Sequence, residues 1–327
     1  MNRSLTIVMY HYVRDLEHSR YPEIKGLTTA HFKAQIDYIK KYYNVISGHD
    51  LLDAINSGSE LPPRALLLTF DDGYSDHFTQ VFPILDQEGI RACFFPSAKC
   101  ILENEILDVN KIHFILASAP DKMELIENIF SMVAEYRTKF QLLNSDQYWK
   151  KLAVAKRFDT REVAFIKHML QRELPERVRK AITNALFKKY VSSDERAFSQ
   201  ELYMSLDQLQ CLYRHGMYIG SHGYNHYWLD HLERKEQETE ICQSLEFLRR
   251  ISGTTVEEWI MCYPHGAYND SLLAVLADHG CTLGLTTKIG IADLEQHHPL
   301  ALPRIDTNDL PASAGAKPNQ WTIKVQK

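Results

Sequence analysis

No stretch of this 327-residue chain approaches the length of apolar sequence that spans a bilayer. The nearest thing to a leader, Leu5-Thr6-Ile7-Val8-Met9-Tyr10, is cut off by His11 and then by Arg14 and Asp15. It is too short for a signal-peptide core and has no small-residue cleavage site. The six cysteines form no CxxC pair. Their scatter argues against a disulfide framework and a cysteine-built zinc site, and it fits a reducing compartment. Charge of one sign is also missing. A net charge of −5 gives no reason to expect nucleic acid or an anionic membrane as partner. Repeats and low-complexity segments are absent. The remaining composition, 45% hydrophobic and 24% charged, is that of a globular protein large enough to bury a substantial core. A cytoplasmic protein without a transmembrane segment is the expectation; the oligomeric state is not legible.

Short apolar runs recur along the chain and read as buried strands: Leu5 to Tyr10, Ala65 to Phe70, Ala92 to Phe95, Tyr218 to Gly220, Trp259 to Tyr263, Thr282 to Thr286 and Leu300 to Pro303. Helical patterns lie between many of them. Thr28 is placed to cap a helix with Phe32, Ile36, Ile39 and Tyr43 on its apolar face, and Ser47 with Asp50 reads as a capping box. Glu233 to Arg250 is a charged helix with Ile241, Leu245 and Leu248 on one side. Such alternation predicts an α/β fold with a parallel sheet, open or closed into a barrel. Residues 103–203 break the rhythm with helical periodicity and no strand. They are expected to form a helical insertion in a single domain spanning 1–327. Two readings of it stay open: a packed subdomain that only adds stability, and a lid that shapes a pocket.

The chemistry concentrates at Thr69-Phe70-Asp71-Asp72-Gly73 and at Ser221-His222-Gly223-Tyr224-Asn225-His226. Two adjacent carboxylates at a strand end repel each other unless positive charge lies beside them. His222 and His226, four apart, would share one face of a helical turn and so grip one metal ion. One carboxylate and two imidazoles, with a spare carboxylate as base, are the equipment of a metal-assisted hydrolase.

These two motifs, followed by Tyr263-Pro264-His265-Gly266-Ala267-Tyr268-Asn269, resemble the polysaccharide deacetylase family, the NodB-homology domain of carbohydrate esterase family four. The resemblance covers about residues 1–100 and 205–310. It implies a distorted (β/α) barrel of about seven parallel strands with the site at their C-terminal ends. It also implies that Asp72, His222 and His226 hold one divalent metal, with zinc the default and iron, cobalt or nickel also suited. Asp71 matches the family's general base, and the backbone N–H of His265 falls where the family supplies an oxyanion donor.

Two departures matter. Where many members have an arginine that pairs with the base, this chain has Cys262; Arg304 can bring that charge from a later strand, or can be a surface ion pair. The family's late histidine, its usual general acid, is missing after Arg304. His11, ending the first apolar strand, resembles the arrangement of permuted members and is assigned as the acid; the alternative is a strand-edge histidine. Tyr74, Tyr268, Asn269 and Asp306 are candidate substrate contacts, each with a turn-shaping or solvated alternative. The expected activity is metal-dependent removal of an N-acetyl or N-formyl group from an amino sugar. The expected substrate is a cytoplasmic or lipid-linked precursor of a surface polysaccharide. A catalytically inactive glycan-binding protein and a deacetylase of finished polymer are the rivals.

Overall fold

The structure is a computed structural model that describes residues 3–325. Seven parallel strands form the frame: β1 (Ser4–Tyr10), β2 (Ala65–Asp72), β3 (Cys93–Pro96), β4 (Tyr218–Ile219), β5 (Trp259–Cys262), β6 (Cys281–Ile289) and β7 (Leu302–Asp306). Their spatial order is β4-β3-β2-β1-β7-β6-β5. The first and last strands of the chain are therefore neighbours at the centre of the order. The ring closes just beyond β4, where Ser221 bridges to Met261: the Ser221 N–H donates to Ile260 O (3.1 Å) and the Cys262 N–H to Ser221 O (2.8 Å). The fold is a distorted (β/α) barrel of seven strands, as the strand pattern and the family resemblance led one to expect.

The two-residue period of a strand sorts side chains into two sets. Leu5 and Ile7, Ala65 and Leu67, Cys93 and Phe95, Tyr218, Ile260 and Cys262, Leu283 and Leu285, and Leu302 make one buried cluster to which every strand contributes, the barrel interior. Val8, Tyr10, Leu66, Leu68, Phe70 and Phe94 make the other, packed against the surrounding helices. Four longer helices of this unit matter below: α1 (Thr29–Tyr42), α2 (Gly48–Ser57), α3 (Leu206–Arg214) and α4 (Arg234–Ser252). Thr28 caps α1, whose buried face includes Phe32, Ile36 and Ile39. Ser47 and Asp50 form a reciprocal capping box on α2. Each cap supplies a partner for first-turn N–H groups that have none within the helix.

The chain divides into two compact units. The barrel unit takes residues 1–15, 26–105 and 199–327; the second takes 16–25 and 106–198. The second unit is helical, with Asp108–Ser118, Lys122–Phe140 and Glu176–Tyr190 as its longest members, and buries Ile112, Phe114, Leu125, Ile129, Phe165, Ile182 and Leu186. Its limits differ from the expected 103–203, because Leu16–Lys25 belongs to it. Tyr21 packs edge-on against Phe114 and Phe198, and Lys25 pairs with Asp159. That decapeptide shows no periodicity, so only its tertiary contacts reveal its allegiance. Among the described residues no helix is long and apolar enough to cross a membrane.

Candidate metal centre and its acid–base pair

The strand register brings the ends of β1, β2 and β7 level. Tyr10 pairs with Phe70 across β1 and β2, and Val8 with Ile305 across β1 and β7. His11 and Asp71 each follow one of the paired residues Tyr10 and Phe70, so they emerge side by side at the C-terminal rim. Parity does the rest. Thr69, Asp71, Cys262 and Arg304 share the inward-facing set and meet inside the barrel mouth. Asp72, one residue on, points elsewhere.

Arg304 is fully buried and grips Asp71 with both ends of its fork: Nη1 donates to Oδ1 (2.9 Å) and Nη2 to Oδ2 (2.8 Å). Two further donors are also placed, Nε on Thr286 O (2.9 Å) and the second Nη1–H on Thr69 Oγ1 (3.1 Å). Such a pair is planar, charge-assisted and geometrically specific. The Cys262 thiol, kept protonated by burial, donates to Asp71 Oδ1 (3.3 Å). Burial pushes the Asp71 carboxyl up, but the Arg304 guanidinium outweighs it and holds the group at about 2. His11 Nε2 lies 3.9 Å from Asp71 Oδ2, on a side chain 42% exposed beside a carboxylate 2% exposed. Its backbone carbonyl accepts a hydrogen bond from Nε2 of buried His77 (2.9 Å). His77 carried no sequence signal for this role.

Asp72 Oδ1 lies 3.3 Å from His222 Nε2 and 3.3 Å from His226 Nε2, all three side chains buried. Two donors each ~2.1 Å from one tetrahedral ion stand about 3.4 Å apart, so this spacing fits a divalent cation. The tautomer fits too: His222 Nδ1–H donates to Cys262 O (2.7 Å), which leaves the Nε2 lone pair for a ligand. Burial works against the Asp72 anion, and the imidazoles of His222 and His226 facing it outweigh that effect, holding the carboxyl well below its ordinary value. Its second oxygen accepts the Tyr74 hydroxyl.

The two histidines do not lie on a helical turn. Residues 222–228 form an irregular loop, with Gly223 at φ 72 and His226 at φ 59. A left-handed residue one step after His222 ends any helical path, so the spacing of four converges through a loop instead. Asp72 (φ 71) and His265 (φ 58) are left-handed as well. Non-glycine residues are costly there, and such strain gathers at functional sites.

The other candidates divide. The His265 ring lies edge-on to His226 (4.7 Å between centroids) and flat on Trp228 (4.3 Å). Tyr74 is fully buried and its hydroxyl is committed to Asp72, so it supports the carboxylate rather than lining a pocket. Asn269 caps the Asp270–Asp278 helix through Leu272 N–H and donates to Asp230 O. Asp306 caps its own turn through Asn308 N–H. Both side chains are thereby spent on the scaffold. Tyr268, 38% exposed and stacked on Tyr263, remains accessible.

The polysaccharide deacetylase family model matches residues 58–133 and 146–284, more than half of the chain, and the chain belongs to this family. The match runs through most of the helical stretch that the motifs alone leave out, and it stops short of β1 and β7. Over 61 residues the chain is 36% identical to the poly-beta-1,6-N-acetyl-D-glucosamine N-deacetylase of Escherichia coli (strain K12), which is 18% of this chain and 9% of that protein. The match thus covers under a tenth of that relative's length. The structure is similar to Streptococcus pyogenes deacetylase PplD in complex with acetate, with a TM-score of 0.58 and 17% identity over 96% of each chain. It is also similar to IcaB from Ammonifex degensii, with a TM-score of 0.57 and 15% identity over 100% of this chain and 98% of that one. At such identities the likeness shows the fold.

Proposed function

We propose that this protein hydrolyses the N-acyl group of an amino sugar, using one divalent metal held by Asp72, His222 and His226. The observation that carries the reading is the pair of adjacent aspartates with opposite surroundings. Asp72 faces two imidazoles at ligand spacing, and Asp71 faces a guanidinium that keeps it anionic. A cation there would polarise the amide carbonyl and make water a better nucleophile. Zinc is the first choice; iron, cobalt and nickel suit the same donors.

Asp71, ionised across the physiological range, accepts the proton of the attacking water. His11, at the same rim and half-exposed, delivers a proton to the departing amine, without which the tetrahedral intermediate returns to amide. Arg304 fixes the base in one rotamer and keeps its charge. The His265 backbone N–H serves as oxyanion donor in this scheme, and Tyr268 as the accessible substrate contact. The six unpaired cysteines support a reducing compartment, and with it a precursor rather than finished polymer as substrate.

The test is metal analysis joined to an amine-release screen on N-acetyl and N-formyl sugars, free, nucleotide-linked and lipid-linked, beside long N-acetylated oligosaccharides. Stoichiometric metal and amine release from any of these supports the deacylase reading, and a chelator abolishes the release. A protein that binds the sugars with no turnover under any metal is a binding protein instead. Preference for the long oligosaccharide overturns the precursor reading alone.

A further inference from the structure

The loop that carries His222 and His226 has two left-handed residues and no regular hydrogen-bonding of its own. What fixes it lies on α4, a helix that carries none of the motifs. Three polar side chains of α4, Gln237, Glu240 and Ser244, are buried to 0%, 4% and 1% exposure. Their spacing of three and four puts them on one face. A buried polar stripe on a helix is costly unless each group is bonded.

Each is bonded to the metal loop or to a residue flanking it, in order. Ser244 Oγ shares a 2.6 Å hydrogen bond with Ser221 Oγ, which also accepts the Gly223 N–H (3.2 Å). Glu240 Oε2 accepts the N–H groups of Tyr224 (3.1 Å) and Asn225 (3.0 Å), and its Oε1 accepts the Asn225 side-chain amide. Gln237 Nε2 donates to Leu229 O (2.8 Å) and to Asn269 Oδ1 (3.2 Å), while its Oε1 accepts the Ser271 hydroxyl (2.8 Å). The anchors therefore fall before His222, between His222 and His226, and after His226. Loop carbonyls are held as well: Gly223 O and Tyr224 O accept the N–H groups of Ala98 and Lys99.

We infer that Glu240, with Ser244 and Gln237 beside it, sets the positions of the two histidine ligands, so that α4 tunes metal affinity without touching the metal. The inference rests on the metal reading above and extends it to a helix outside the motifs. The chemistry of Glu240 is specific. It meets three donors, and only an acceptor-only side chain satisfies all of them; a glutamine turns its own NH₂ against one. Outer partners of this kind typically govern metal affinity by about ten- to a hundredfold.

The experiment compares wild type with Glu240→Gln, Ser244→Ala and, as a control on the exposed side of α4, Glu246→Gln. Zinc affinity is measured by competition with a chromophoric chelator, alongside hydrogen exchange at the Tyr224 and Asn225 amides and thermal unfolding. The expected result is zinc binding weakened about tenfold or more in Glu240→Gln and less in Ser244→Ala. The two loop amides exchange faster, and Glu246→Gln stays at the wild-type value. A folded Glu240→Gln protein with wild-type zinc affinity overturns the inference, whatever happens to the amides. If that variant does not fold, Ser244→Ala decides by the same criterion. Wild-type protein with no affinity for zinc or another divalent ion overturns the metal reading itself, and this inference with it.

Discussion

Asp71 and Asp72 are adjacent, equally buried, and have opposite fates. Asp71 points into the barrel, where parity brings it to Arg304 from β7 and Cys262 from β5, all on rigid strands. Asp72 leaves the strand with a left-handed backbone and meets two imidazoles on an irregular loop. One half of the site is a strand-built charge pair; the other is a loop-built cluster of one carboxylate and two imidazoles. The family match covers β2 and the histidine loop but reaches neither His11 on β1 nor Arg304 on β7. The difference teaches how two like charges coexist at a strand end. Each is given its own partners, on its own face, from a different part of the chain.

The largest effect is expected on the loop side. On the proposed reading, Asp72→Ala removes a metal ligand and with it the cation's contribution, worth several kcal/mol at the transition state, or about a thousandfold or more. Amine release should fall to background and metal analysis should show the ion lost. Retained stoichiometric metal in this variant breaks the division of labour between the two aspartates. Asp71→Asn is the complementary test. It keeps shape and metal but cannot accept a proton, so turnover should fall about a hundred- to ten-thousand-fold with zinc content unchanged. Near-normal turnover would mean that the base lies elsewhere.

Within the strand-built half, His11 and Arg304 separate by chemistry. His11→Gln should cost about a hundredfold or more on an amide, whose amine must be protonated to leave, and far less on an activated aryl ester. An equal loss on both substrates argues for a packing role. Arg304→Met strands a buried carboxylate, and breaking a buried pair from one side costs about 3–5 kcal/mol. Burial, no longer outweighed by the guanidinium, then raises the Asp71 carboxyl, so the acid limb of the rate profile should move to higher pH. Adding Asp71→Asn to Arg304→Met should return much of the stability in urea titrations and none of the activity.

How much of this was legible in the sequence follows from the same division. The seven strands stood out as short apolar runs, because strands buried on both faces leave no alternation to confuse them. Asp71, Asp72, His222 and His226 stood out as motifs. The meeting of His11 with Asp71, and of Arg304 with Asp71, followed once a closed barrel made the first and last strands neighbours. The path between His222 and His226 was misread as a helical turn, since spacing alone cannot report a left-handed glycine. Tyr74, Asn269 and Asp306 looked like substrate contacts because a polar residue near a motif carries no mark of its partner. Their partners (Asp72, Leu272 N–H and Asn308 N–H) are set by local geometry that appears only on folding. The sequence of α4 shows its apolar face, and its buried polar stripe carries no mark there for the same reason.

The smallest effect expected is on stability, and it tests the support beneath His11. His77 sits inside the protein among Phe70, Tyr74 and Phe94, with its Nε2 on the His11 carbonyl. Burial disfavours its charged form and lowers the imidazole to about 4 from an ordinary 6.5. A histidine depressed in this way binds fewer protons folded than unfolded between those values. Its stabilising contribution is therefore fully present above about pH 6.5 and is lost as the pH falls toward 4, by about 2–4 kcal/mol at most. Glutamine can keep a donor on the His11 carbonyl and cannot titrate. His77→Gln should therefore flatten the fall in urea stability between pH 7 and 4.5, while costing only a modest amount at neutral pH through imperfect packing. If the variant loses stability with acid as steeply as the wild type, the proton uptake belongs to another group, and His77 is then only a donor that happens to be an imidazole.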